Sequence, residues 1–159
     1  MKIIRAQIKD MDTVGAVHSL AWKQAYADIF PAEFLEADSP KARAEEFRES
    51  LECNNIHYYL VYEEEVAVGV VKVKVEGGIC EISSIYLLTE HRSRGYGSQI
   101  ITQLRQIYAE EEMVLWVLED NIKARCFYEN NGFVLTGRSR EISRGRQYIQ
   151  LEYERATRF

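Results

Sequence analysis

The chain has 159 residues, 47% of them hydrophobic and 28% charged, with a formal net charge of −5 at pH 7. That is the length of one domain with the composition of a globular one, which excludes intrinsic disorder. The acidic balance excludes charge-driven binding to nucleic acid or an anionic membrane as the main task, and no apolar run approaches the ~18 residues a membrane span needs.

Lys2 to Gln7 reads as a first strand, an edge of structure and not a secretory leader. Asp10 is placed to cap the next helix, where Met11, Val14, Val17 and Ala21 stand at helical spacing. That helix ends at or near Pro31, after Trp22, Tyr26, Ile29 and Phe30. Glu33 to Leu51 reads as one or two short helices. Strands follow from His57 to Tyr62, Val66 to Val75 and Ile79 to Leu88, turning at Glu63-Glu64-Glu65 and at Gly77-Gly78. In the second of these, Val71, Val73 and Val75 share one face, Lys72 and Lys74 the other. The helix after Gly97 carries an apolar stripe of Ile100, Ile101, Leu104, Ile107 and Tyr108. Met113 to Leu118 is the continuous apolar run of a buried strand. Asn121 caps a helix reaching about Asn130, and Gly132 is its left-handed end. Phe133 to Ile142 and Gln147 to Tyr153 form a hairpin turning at Ser143-Arg144-Gly145. Helices and strands mix in one α/β unit over 1–159, without linker or repeat.

The cysteines, Cys53, Cys80 and Cys126, are odd in number and lack CxxC spacing, which fits a reduced, cytoplasmic protein. His18, His57 and His91 do not pair at metal-ligand spacing, so no metal is expected.

The strongest chemical feature is Arg92-Ser93-Arg94-Gly95-Tyr96-Gly97-Ser98, between a strand and a helix. Two glycines allow close backbone approach, the helix start offers free amides, and two arginines and Ser98 add donors. This is a phosphate cradle by construction. It lacks the lysine of a Walker loop, and Ile100 stands at the third glycine position of the dinucleotide fingerprint. From these residues alone, a plain glycine-rich turn with solvated arginines is an equal reading. The second feature is Asn121 to Phe133, in which Ala124 and Tyr128 share one helix face.

Together the two stretches change the reading. Ile85 to Gly97, with Arg92, Gly95 and Gly97 in place, resembles the acetyl-CoA-binding motif of the GNAT superfamily of N-acetyltransferases. Asn121, Ala124, Phe127, Tyr128, Gly132 and Phe133 resemble the family's next motif, and Trp22 to Pro31 looks like its first-helix region. The resemblance implies a single-domain α/β (α+β) GNAT fold. Its central mixed sheet has about seven mostly antiparallel strands, a splayed parallel pair and about four flanking helices.

It also implies acetyl-CoA as acetyl donor, with the pantetheine arm on main-chain groups of Ile85 and Leu87 and the pyrophosphate on Ser93 to Ser98. Asn121, Ala124 and Tyr128 complete that binding set. The Leu87 amide would polarise the thioester carbonyl. Tyr128 matches the family's general acid, or else only hydrogen-bonds the sulfur. Glu81, fourteen positions before Gly95, matches the catalytic glutamate of the histone-acetylating branch, or is a solvent-facing strand residue. Glu119 and His57 are weaker candidates for the base, and Cys126 reads as packing. Thr89 stands where proline is common and Ser93 where glycine is common.

The implied reaction is direct acetyl transfer to a primary amine on a small molecule, a peptide N-terminus or a lysine, in a ternary complex. The alternatives are a non-catalytic acyl-CoA sensor and a phosphate-binding regulator. Trp22, Tyr26, Phe30 and Phe34 read first as helix core and second as an acceptor wall. Arg138, Arg140, Arg144 and Arg146 read first as a solvated face and second as a basic stretch that attracts an acidic acceptor or the nucleotide's phosphates. A homodimer is the assembly the resemblance implies by default.

Overall fold

The computed structural model describes residues 1–155. Seven strands are β1 (Lys2–Arg5), β2 (Ile56–Glu63), β3 (Val66–Glu76), β4 (Ile79–Leu87), β5 (Glu112–Leu118), β6 (Val134–Ser143) and β7 (Gln147–Arg155). The helices are α1 (Met11–Tyr26), α2 (Ala32–Glu36), α3 (Pro40–Ser50), α4 (Tyr96–Ile107) and α5 (Ile122–Asn130). The strands form one sheet in the order β1-β2-β3-β4-β5-β7-β6. Among the described residues only β4 and β5 run parallel; every other neighbour is antiparallel. The fold is the expected single-sheet α/β one, with five helices where about four were expected.

Helices cover both faces, so the sheet has two apolar sides. On one, Val71, Val73, Cys80 and Ile82 meet Ile100, Ile101 and Leu104 of α4 and Phe133. On the other, Val14, Val17 and Phe47 of α1 and α3 meet Tyr58, Leu60 and Val70. A third cluster, Trp22, Phe30, Leu118 and Tyr148, lies at the end of the sheet where β4 and β5 border a cavity.

Local signals resolve as physics dictates. Asn121 caps α5, its Oδ1 accepting from Ala124 N at 3.2 Å. Gly132 ends that helix at φ 88°. Two expectations are corrected. Asp10 does not cap α1 with its side chain. Its carboxylate accepts from Gln7 N at 2.9 Å and so closes the 3-10 turn Ile8–Asp10 that precedes the helix. Ile107, in the last turn of α4, is 49% exposed and lies off the buried stripe.

Gly97 has a packing reason beyond the loop. A Cβ there would lie 2.7 Å from Phe127 Cζ and 2.8 Å from its Cε1. The bare glycine lets α4 and α5 approach at the level of the cradle. Gly97→Ala should cost about 1–3 kcal/mol by overpacking. A thermal melt would then fall by ~2–4 °C per kcal/mol, and Phe127→Leu in the same chain should recover part of the loss. An unchanged melting temperature would mean the ring moves aside freely.

Candidate active site

The site begins at a break in the sheet. β4 and β5 pair only from Ile79 with Glu112 to Ile82 with Leu115. β4 nevertheless continues to Leu87 and β5 to Leu118, so the parallel strands part. The break coincides with a bulge: β3 pairs Val73 with Ile82 and Lys72 with Ser84, leaving Ser83 as an extra residue. A bulge bends its strand and shifts the alternation of side chains by one. Beyond it, Ile85 and Leu87 join the cluster of Cys80 and Ile82, together with Ala124, Phe127 and Tyr128 of α5. Tyr86 packs against the opposite face, with α1.

Main-chain groups follow the same logic. Leu88 N–H donates to Val68 O at 2.9 Å. Leu87 stands opposite Gly69 and Ile85 opposite Val71. Because antiparallel ladders alternate, the main-chain groups of Ile85 and Leu87 turn away from β3 towards the gap. Arg92 Nε donates to the Leu87 carbonyl at 3.0 Å. That contact satisfies the acceptor and leaves the Leu87 amide as the donor on the open edge.

The loop ahead of α4 is left-handed twice, at Ser93 (φ 62°) and Gly95 (φ 79°). Ser93, standing in a position where glycine is common, therefore carries a conformation that costs an L-residue about 1–2 kcal/mol. Gly95 is the N-cap of α4 and has no side chain to cap with, so the first amides of the helix are open to an anion.

Arg94 and Tyr96 do not turn into this cradle. Arg94 Nη1 donates to both oxygens of Glu63, at 3.2 and 3.1 Å, and Tyr96 Oη donates to Oε2 at 2.6 Å. His91 Nδ1 lies 3.1 Å from the same carboxylate. The Tyr96 hydroxyl above all, with His91 and Arg94, holds the Glu63 carboxyl below its usual range. Glu63, read in the sequence only as part of a charged turn, is the post to which the loop is tied.

Tyr128 packs edge-on against Phe127 and Phe133, with ring centroids 5.1 and 5.7 Å away. Burial pushes its phenol well above the ordinary tyrosine range, and the nearby Tyr86 phenol adds to the shift. Tyr86 Oη in turn lies 3.3 Å from Tyr26 Oη of α1, and burial raises both of these phenols as well. Thus Tyr128 lies on the α5 side of the parted strands and the Tyr26–Tyr86 pair on the α1 side. The sequence reading missed Tyr86, although it lies inside the β4 motif.

On the α1 side a cavity of about 470 Å³ opens over β4 and β5. Trp22, Tyr26, Phe30 and Phe34 form its aromatic wall, and Glu81, Ser83, Ser84, Tyr86 and Trp116 its floor. The aromatics are therefore core and wall together: Trp22 and Phe30 are each 7% exposed and still line the cavity. The basic stretch divides. Arg138 is bound to Glu152 at 2.6 Å and Arg146 to the Tyr148 hydroxyl at 2.9 Å, whereas Arg140 and Arg144 line the cavity. Those two do more than form a solvated face.

Glu81 is on the cavity floor; Glu119 and His57 are not among its walls. His57 is held elsewhere, its Nδ1 2.6 Å from Tyr108 Oη and its Nε2 3.1 Å from Asn54 O. Cys126 is exposed, which corrects its reading as a packing residue. Among the described residues no cluster of three or more His, Cys, Asp or Glu side chains could hold a metal, and no helix is long and apolar enough to cross a membrane.

Residues 16–133 match the Acetyltransferase (GNAT) family. The chain belongs to that family. It is an N-acetyltransferase, and acetyl-CoA is the donor that this family uses. Among its relatives, the Mycobacterium tuberculosis protein named "Probable N-acetyltransferase Rv2775" is 25% identical over 144 residues, covering 87% of this chain and 83% of that one. The spermidine N(1)-acetyltransferase of Thermoplasma acidophilum is 23% identical over 141 residues, covering 84% and 88%. Among solved structures, the PaiA N-acetyltransferase of Thermoplasma acidophilum in complex with coenzyme A aligns over 98% of both chains. Its TM-score is 0.77 at 22% identity. A chimera of the spermidine N-acetyltransferase SpeG from Vibrio cholerae and hSSAT aligns over 98% of this chain and 96% of its own, with a TM-score of 0.74 and 16% identity. At such identities the structures share the fold of this acetyltransferase.

Proposed function

We propose that this acetyltransferase moves the acetyl group of acetyl-CoA directly to a primary amine in a ternary complex. The observation that carries the reading is the gap where β4–β5 pairing stops at Ile82 and Leu115. The α5 side of that gap holds Tyr128, and the α1 side opens into the cavity floored by Glu81. Donor and acceptor can thus enter from opposite faces and meet in the sheet.

The residues present fit acetyl-CoA. Ile85 and Leu87 offer main-chain groups along the open edge for the pantetheine arm, a pairing of the β-augmentation kind. The residues from Ser93 to Ser98, with Gly95, Tyr96 and Gly97, offer amides at the start of α4 to the pyrophosphate, with Arg92 and Arg94 beside them. Asn121 fixes the start of α5 and Ala124 packs behind Tyr128. Arg94 serves the phosphates by exchanging Glu63 for them.

The acceptor nitrogen attacks the thioester carbon with its lone pair, and the carbonyl electrons move to oxygen. The Leu87 amide stabilises that oxyanion. Glu81 takes the proton lost by the amine, directly or through one water. The C–S bond then breaks, and Tyr128 gives its proton to the departing thiolate. Glu81→Gln should lower kcat/KM by about 10–100-fold near neutral pH. The loss should shrink as pH rises, because a growing share of the amine is already neutral. A pH–rate profile checks this; a loss that is constant with pH would leave Glu81 a structural role only.

The direct test is thiol release from acetyl-CoA against a panel of primary amines. Release that depends on an amine is expected. Thermal stabilisation by CoA without release from any amine favours the alternative, a non-catalytic acyl-CoA sensor. No response to CoA at all sinks both.

A further inference from the structure

The cavity walls carry four cations, and they are not equivalent. Arg43 is bound to Asp38 at 2.7 Å and to Glu46 at 3.4 Å, and Lys72 lies 3.7 Å from Glu46. Those two are neutralised within the wall. Arg140 and Arg144 have no carboxylate in ion-pair range among the described residues.

Both are nonetheless held in place. The Arg140 guanidinium stacks 4.2 Å from the centroid of Trp116, and its Nε donates to Gln150 Oε1 at 2.7 Å. Arg144 Nη1 donates to Ser143 O at 2.7 Å, and its charge is felt at the phenols of Tyr26 and Tyr86. Glu81 lines the same cavity, a carboxylate with no cation in ion-pair range among the described residues. The wall also holds His18, 1% exposed, whose Nδ1 has no hydrogen-bond partner among the described residues. Buried polar atoms are satisfied in nearly all folded proteins, so an orphan on a cavity wall is a position where an ordered water or a ligand atom can supply the bond.

We infer that the acceptor is a primary amine that also carries a carboxylate or similar anionic group, seated on Arg140 and Arg144, with its amine at Glu81. An acceptor of the amino-acid class with an apolar body fits this arrangement. Its carboxylate meets the guanidinium forks, its body meets Trp22, Tyr26, Phe30 and Phe34, and a polar atom reaches His18. Charge-assisted bonds to arginine are the strong kind, and the partly enclosed site screens them less than water does. A polyamine brings only positive charge to two unneutralised guanidinium groups and is disfavoured. The inference rests on the transferase reading above and deepens it.

The test compares matched amines: phenylalanine with phenethylamine, and 4-aminobutyrate with 1,4-diaminobutane and spermidine. The carboxylate member of each set should have at least a tenfold higher kcat/KM. Arg140→Gln and Arg144→Gln should each shrink that ratio about tenfold, through KM. A panel in which spermidine or the diamine leads, or ratios unmoved by both substitutions, overturns the inference.

Binding is read separately, as the shift of the thermal melt by phenylalanine and 4-aminobutyrate in the presence of CoA. A shift that is lost in Arg140→Gln/Arg144→Gln supports the anion seat even if no amine is acetylated, in which case it is the transferase reading that fails. No shift and no carboxylate preference overturns the seat itself.

Discussion

Tyr128→Phe should cut acetyl transfer by about 100-fold or more while changing CoA affinity by no more than a few-fold. The substitution removes one oxygen and keeps the ring, so the packing against Phe127 and Phe133 survives. A phenol whose pKa is raised looks at first like a poor acid for a thiolate, since free thiols titrate near ~8.5. The same dry surroundings resolve this. Burial disfavours whichever group carries the charge, so a thiolate released beside Tyr128 is raised as the phenol is. The transfer then runs between groups perturbed in the same direction, and at working pH the phenol always holds its proton. Steady-state rates of thiol release, with CoA binding measured by calorimetry, check this. A variant of unimpaired rate would assign the proton to water and leave Tyr128 as a wall of the donor site.

The second large effect is on stability. Burial pushes the pKa of His18 from 6.5 down to about 3, with Arg43 and Lys72 pressing the same way and Glu46 opposing them. The groups around it are Arg43 and Glu46 of α3, Lys72 of β3, Tyr58 of β2 and Tyr86 of β4. Between these two pH values the unfolded chain binds a proton at this site and the native one does not. Stability therefore falls as pH drops below about 6.5, at up to ~1.4 kcal/mol per pH unit from this residue alone. His18→Leu should remove that slope. Carboxylates also titrate towards the lower end of this window, so the quantity to measure is the difference between wild type and variant in urea midpoints at pH 7, 6, 5 and 4. Parallel curves would show that the imidazole finds water or a proton in the native state.

Much of the site is written in local chemistry. The glycines at 95 and 97, the arginine at 92 and the cap at Asn121 are readable because turns, caps and helix starts depend on a few neighbouring residues. The parting of the strands is different. Nothing in Ile79 to Leu87 marks Ser83 as an extra residue, for it is neither glycine nor proline. Strict alternation from Glu81 would set Ile85 and Leu87 on the face of that carboxylate and Tyr86 on the face opposite. The bulge reverses this: it leaves Ile85 and Leu87 with Cys80 and Ile82, and turns Tyr86 towards Tyr26. Bulges are set by how two strands twist against each other, a property of the pair.

By itself the sequence determined the family, the order of the elements and the acetyl donor, and it pointed to the loop proposed as the phosphate cradle, because each rests on short segments whose geometry is local. Only the tertiary structure decided how charge is distributed over the cavity above β4 and β5. Of the four arginines between Arg138 and Arg146, two are spent on Glu152 and Tyr148 and two line the cavity. Likewise Glu63 came to hold Arg94 across a separation of 31 residues. Which charge finds a partner depends on where distant strands bring the carboxylates, and a linear pattern of charges carries no record of those distances.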